Sequence, residues 1–333
     1  MVICVFLFHT NIHLKADYGI FNSFIRMGAC CMTGFFLLSG FVLSINYNNI
    51  EINADSLSNY YKKRFISLIP MYWIVSFAYI IIYKQVKDNL ILLPIEILGL
   101  QSFFSSIFDI SHNGGTWFIS CLILCYFLFP FIQYIVRSLN RKNRLLVFGL
   151  LSFILLYSSV VVWYFNLNSI YSNPFFRLVE FCIGMILFSF KEDIEKNKFC
   201  KILLNKYAII VELLIFIISV SISVYLNIGV GNYMLYNFIS LPLFILMIIS
   251  CSGVKFEGYR LNKVLEFLSG VSYMFFLSQL FIFDLTQNIL VVIKKDTNLL
   301  RICISLFLCL LLSFVLHKFE VIIISKSKKV LKI

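Results

Sequence analysis

Long apolar stretches alternate with short clusters of Lys, Arg, Asn and Ser from one end of the chain to the other. A helix needs roughly 20 apolar residues to cross the hydrocarbon core of a bilayer. Taking each apolar stretch as a helix predicts ten spans, at 1–14, 28–47, 65–83, 117–136, 145–165, 174–190, 207–228, 233–251, 265–293 and 299–323. The stretch 89–108 is also apolar, but Pro94, Glu96, Gln101 and several serines interrupt it, so it reads as an interfacial or re-entrant piece. The expected fold class is all-α, a polytopic membrane helix bundle.

The basic residues give these spans an orientation, because short cytoplasmic loops collect Lys and Arg. Loops after even-numbered spans hold Lys62, Lys63 and Arg64, then Arg137, Arg141, Lys142 and Arg144, and three further groups ending at Lys332, together 19 of the 28 basic residues. The opposite loops hold Lys15, Arg26, Lys84, Lys87, Lys294, Lys295 and Arg301. Both termini are therefore expected to be cytoplasmic. Counting 89–108 as an eleventh span would put the later basic loops outside, so ten is the consistent number.

Composition agrees: 61% of the 333 residues are hydrophobic and 13% charged, more apolar than a soluble core requires. The net charge of +12 is spread between apolar stretches and not gathered on one soluble face, which argues against nucleic acid as a partner. Ten cysteines lie mostly within apolar stretches, with no Cys-x-x-Cys pair and no histidine at ligand spacing. They read as small hydrophobes, and no metal is expected. No repeat or soluble segment stands out, so 1–333 reads as a single membrane domain. Only eight residues precede His9. The first helix thus lacks a basic cytoplasmic flank, for which an upstream start codon or a truncated gene would account.

An ionisable group at membrane depth costs several kcal/mol unless paired or hydrated, which makes each a candidate site. His9 closes the first span, where a neutral imidazole could take a proton from a hydroxyl or simply cap the helix at the interface. Arg177 and Glu180 lie three apart on one face of the sixth span and suit either a functional or a structural ion pair. Glu212, Asp284 and Glu320 also interrupt apolar helices, with His317 one turn before Glu320. Ser39 and Gly40 suit close helix packing. Asn113 to Thr116, ahead of Trp117, form either a ligand-approachable loop or a plain helix-entry turn.

Their order resembles the acyltransferase type 3 family of integral membrane O-acyltransferases. The pieces that carry the resemblance are His9 ending an apolar helix; Phe35 to Phe41; Tyr61-Lys62-Lys63-Arg64 leading to Pro70-Met71-Tyr72-Trp73; Trp117 with Tyr126 and Pro130; Arg177 with Glu180, Phe181 and Gly184; and Ser272-Tyr273 with Leu277, ahead of Glu320. The resemblance implies transfer of an acyl group, commonly acetyl from acetyl-CoA, to hydroxyls of a bacterial cell-envelope or exopolysaccharide glycan, in the inner membrane. It implies no permanently bound cofactor, with acyl-CoA as co-substrate and a glycan or lipid-linked sugar as acceptor. His9 would be the catalytic base, with Arg177 and Glu180 in the catalytic set. Lys63 and Arg64 would meet the CoA phosphates, and Ser39, Trp117 and Tyr273 the substrate. The chain departs from the family pattern at Ser67, where a second arginine is usual, and at Gln279, where histidine is common. Two alternatives remain open from the residues alone: a carrier that exports or flips a polysaccharide or lipid-linked sugar, and an inactive relative.

Overall fold

The computed structural model describes residues 1–83, 92–104, 114–197, 204–254 and 259–331. Every element among them is helical. The longer helices are α1 (Val2–His13), α2 (Cys31–Asn46), α3 (Ala54–Tyr83), α4 (Trp117–Ser138), α5 (Arg141–Tyr164), α6 (Pro174–Ser189), α7 (Lys206–Tyr225), α8 (Asn237–Gly253), α9 (Tyr259–Ile293) and α10 (Asn298–Leu331). Asparagines start several of them. Asn140, Asn173 and Asn205 sit immediately before α5, α6 and α7, where each side chain accepts from backbone N–H groups that the helix itself leaves unpaired. Pro174 follows Asn173 at the position where a missing N–H costs nothing.

Seven helices among the described residues are long and apolar enough to cross a membrane: α2 with its preceding turn, α3, α4 with its preceding turn, α5, α7, α9 and α10. The other three stretches counted as spans correspond to α1, α6 and α8, of 12, 16 and 17 residues. At 1.5 Å per residue these reach only about 18–26 Å, short of a ~30 Å core. The protein is a multi-pass helical membrane protein. Large apolar side chains stand exposed on α5 (Leu150, Phe153, Tyr157), α7 (Ile210, Leu214, Ile218) and α10 (Phe307, Leu311, Phe314). Stripes of this kind suit lipid and would be a liability in water.

Three helices extend past the expected spans. Helix α3 begins at Ala54, so Lys62, Lys63 and Arg64 stand on a helix and not in a loop. Helix α9 begins at Tyr259 and α10 runs on to Leu331. Apolarity marks where a helix enters hydrocarbon, whereas its hydrogen-bond ladder continues into water on good helix formers such as Lys and Arg. The described part of 89–108 holds a five-residue helix, Leu93–Ile97, and a 3-10 turn, Gln101–Phe103. Side chains of α3 pin it: the Tyr72 hydroxyl donates to the Glu96 carbonyl at 2.5 Å and Trp73 Nε1 to the Ile97 carbonyl at 2.8 Å.

The helices form two compact units. One contains α2, α5 to α8 and most of α4. Within it α2 and α6 pack backbone to backbone: a Cβ at Gly40 would collide with the Phe181 carbonyl oxygen, and one at Gly184 with that of Leu37. The other unit contains α1, α3, α9, α10 and the first turn of α4. Its core is aromatic. Phe6 of α1 meets Phe275 and Phe283 of α9 at ring separations of 5.3 and 5.7 Å, beside Leu14, Ile282 and Cys309.

Candidate active site

On α1, Phe6, His9 and His13 recur at helical spacing and so share one face. That face meets Phe283 of α9. The Phe283 ring lies 6.4 Å from the His9 ring and stacks on His13 at 5.7 Å and 13°. The two imidazoles are 5.7 Å apart. His13 ends the helix, exposed, and its carbonyl accepts a 2.8 Å bond from Gln287 Nε2. Asp284 interacts electrostatically with His13.

His9 Nδ1 is buried and has no hydrogen-bond partner among the described residues. The same holds for the side-chain amide nitrogen, Nε2, of Gln279, a residue 2% exposed. Gln279 lies one turn from both Phe275 and Phe283, so it belongs to the stripe of α9 that packs against Phe6 of α1. Leaving a buried polar atom unpaired costs about 1–3 kcal/mol. Two such atoms on facing helix surfaces are what a site for a polar reactant requires: one can take up a proton, the other can donate to an oxygen.

Lys63 and Arg64 stand on α3 of this unit, Lys63 exposed and Arg64 half-buried. The Ser67 hydroxyl turns back to the Arg64 carbonyl at 2.9 Å. Trp117 is buried at the start of α4, and its carbonyl accepts from the Ser102 hydroxyl at 2.9 Å. The glycines before it form a 3-10 turn, Gly114–Thr116; Asn113 lies outside the described residues. The Tyr273 hydroxyl donates to the Leu68 carbonyl at 2.8 Å, joining α9 to α3. His317 and Glu320 of α10 are joined at 2.8 Å, with the imidazole against Gly270 of α9.

The other unit holds Arg177, Glu180 and Ser39. Arg177 and Glu180 are 1% and 0% exposed, and Arg177 Nη1 donates to both carboxylate oxygens at 2.9 Å. Arg177 Nε donates to the Tyr171 carbonyl at 2.8 Å, and the guanidinium lies 4.4 Å from the centre of the Tyr171 ring. Burial pushes the Tyr171 phenol upward, so it stays protonated and donates to the Ala29 carbonyl at 2.9 Å. The carboxylate accepts from Thr33, whose hydroxyl also lies 2.8 Å from Asn237 Oδ1; Asn237 in turn donates to Ser159 at 3.0 Å. One buried network thus ties α2, α5, α6 and α8. Removing one member of such an ion pair typically costs about 3–5 kcal/mol, since a buried charge is left alone. Ser39 is half-buried on α2 and makes no hydrogen bond among the described residues.

A family model described as an acyltransferase domain, that of the acyltransferase 3 family, matches residues 1–318 of the 333. The chain belongs to that family. The protein is therefore a membrane acyltransferase, and its His9, Arg177 and Glu180 all fall within the matched stretch. No curated protein and no solved structure matched the chain. Sequence analysis did not assign two residues of the candidate site. His13 was detectable by its spacing of four from His9. Gln279 was noticed as a departure from the family pattern, but its unpartnered amide is a product of burial that no pattern reveals.

Proposed function

We propose that this acyltransferase moves an acyl group, acetyl from acetyl-CoA, onto a hydroxyl of a bacterial cell-envelope or exopolysaccharide glycan, from a seat in the inner membrane. The observation that carries the reading is the unpaired His9 Nδ1 on the face of α1 that meets α9. The thioester is already a good acyl donor, so the protein has two tasks: to deprotonate the acceptor and to stabilise the oxyanion that forms on attack.

With its proton on Nε2, His9 presents Nδ1 as an acceptor for the acceptor hydroxyl's proton. The oxygen then bonds to the thioester carbonyl carbon. Collapse of the tetrahedral adduct breaks the C–S bond, and the imidazolium returns its proton to the departing CoA sulfur. The Gln279 amide supplies an N–H to the developing oxyanion. Lys63 and Arg64 hold the CoA phosphates, Arg64 by its planar fork and Lys63 as a point charge. Trp117 and Tyr273, in the unit that holds His9, line the acceptor's path. Arg177 and Glu180 act by keeping α2, α5, α6 and α8 in register, through the network they anchor.

The test is base-labile acetate on the surface glycans of cells expressing this chain or its His9→Ala variant at matched membrane levels. Acetate falling to the empty-vector level with the histidine is the expected result. Acetate unchanged by the substitution would remove His9 from the chemistry.

A further inference from the structure

Four of the seven basic residues in the loops poorer in Lys and Arg gather at one place in the folded protein. Lys15, Lys294, Lys295 and Arg301 line a single cavity of about 500 Å³ with His13, Leu14, Gln287, Leu290, Val291 and Asp296. Asp296 is the one carboxylate among the lining residues, and it is already engaged: Arg301 grips it at 2.6 and 2.7 Å, while the third guanidinium nitrogen donates to the Lys15 carbonyl at 3.0 Å. That grip holds the Asp296 carboxyl below its usual range, so it remains an anion. Lys15, Lys294 and Lys295 have no acidic partner among the described residues.

The backbone marks the same two lysines. Lys15 and Lys294 have φ of 52° and 51°, in the left-handed region. The other two non-glycine residues in that region among those described are asparagines, which tolerate it; a lysine there is uncommon. Both positions follow helix ends, where glycine would be unstrained. A strained choice repeated at two points of one cavity rim points to a need for the side chain.

The cavity also lies away from Lys63 and Arg64. Tyr273 of α9 is tied to Leu68 of α3, one turn beyond Arg64. From Tyr273 to Lys294 the helix rises by about twenty residues, roughly 30 Å. One anion cannot reach both groups. The end of the cavity toward α1 is instead His13, whose ring is one turn from that of His9.

We propose that this cavity binds a phosphate group of the acceptor, so that the substrate class is a phosphate-bearing sugar, either a phosphodiester-linked glycan or a lipid-linked sugar pyrophosphate, presented with a free hydroxyl at His9. The proposal rests on the acyl-transfer reading above. Lysine ammoniums serve as point-charge phosphate ligands, and three of them without counter-ions are matched by a polyvalent anion.

The experiment uses the whole protein in nanodiscs of a neutral phosphatidylcholine, with binding of inorganic pyrophosphate followed by calorimetry. Wild type and His9→Ala are expected to bind alike, and increasingly weakly as salt is raised. The double variant Lys15→Gly/Lys294→Gly relieves both left-handed residues while removing two charges, and should bind roughly tenfold more weakly or worse. Lys295→Gln provides a second variant with no backbone change, expected to weaken binding in the same direction. Equal pyrophosphate binding by wild type and both variants would overturn the proposal. So would displacement of pyrophosphate by acetyl-CoA, which would make the cavity a donor site, or by discs containing phosphatidylglycerol, which would make it a headgroup site. The two phosphate sources separate on transfer: kcat/KM falling in the variants for a phosphodiester glycan alone, or for a lipid-linked sugar alone, names the acceptor. Because binding is read without turnover, loss of acetylation in His9→Ala and loss of pyrophosphate binding in the lysine variants succeed or fail independently.

Discussion

At the scale of single residues, the acyltransferase shows two kinds of buried polar group with opposite meanings. Arg177 and Glu180 are wholly enclosed and are joined to each other, to the Tyr171 carbonyl and to the Thr33 hydroxyl. His9 Nδ1 and Gln279 Nε2 are buried and have no hydrogen-bond partner among the described residues. On the proposed reading the first arrangement holds the helices together and the second leaves capacity for a reactant. The difference yields a test at Gln279. Replacing a buried unpaired donor by an apolar group of similar shape is nearly neutral or stabilising. Gln279→Met is therefore expected to leave the membrane level and thermal midpoint of the protein unchanged or raised, while turnover falls by roughly 100-fold, as for loss of one oxyanion donor. Comparing the acylation rate with the detergent-solubilised melting curve checks both halves. A fall in stability together with activity would make Gln279 a packing residue.

Pairs of helices are decided by small contacts that hydropathy does not register. Ser39-Gly40 reads in sequence as a packing motif, and the structure gives that reading a partner: Gly40 faces Phe181 and Gly184 faces Leu37, each glycine meeting a backbone carbonyl of the other helix. A methyl at either position cannot be absorbed by rotating a side chain. Gly40→Ala and Gly184→Ala are each expected to destabilise by about 3 kcal/mol or more. The measurement is the yield of monodisperse protein and its melting temperature in detergent. Gly149, whose added Cβ would meet nothing within 4 Å, is the control, and Gly149→Ala should be neutral or better. The apolar stretches placed every long helix among the described residues, but the lengths of α3, α9 and α10 followed from hydrogen bonding beyond the hydrocarbon, which apolarity cannot report.

For the whole molecule, the strongest expectation carried by the chain is its orientation. The uneven loops put Arg141, Lys142 and Arg144 on the cytoplasmic side and Lys294 and Lys295 opposite. An epitope inserted after Lys142 should reach antibody only in permeabilised cells, and one after Lys295 in intact protoplasts; the reverse pattern would invert the assignment and with it the side on which CoA is met. Fold class, membrane residence and family were legible in the linear sequence, because each depends on order and composition: runs of apolar residues, basic clusters between them, and motif pieces in sequence along most of the chain. His9 could be singled out for the same reason, as a polar residue where apolar ones belong. Tertiary structure alone decided which polar atoms are left without partners and which charges share a cavity. Lys15 and Lys294 are far apart in the chain, and Arg301 reaches the Lys15 carbonyl only because the ends of α1 and α9 lie beside the start of α10. Satisfaction of a buried donor and gathering of like charge are properties of neighbours in space, and a one-dimensional pattern contains the residues but not the neighbours.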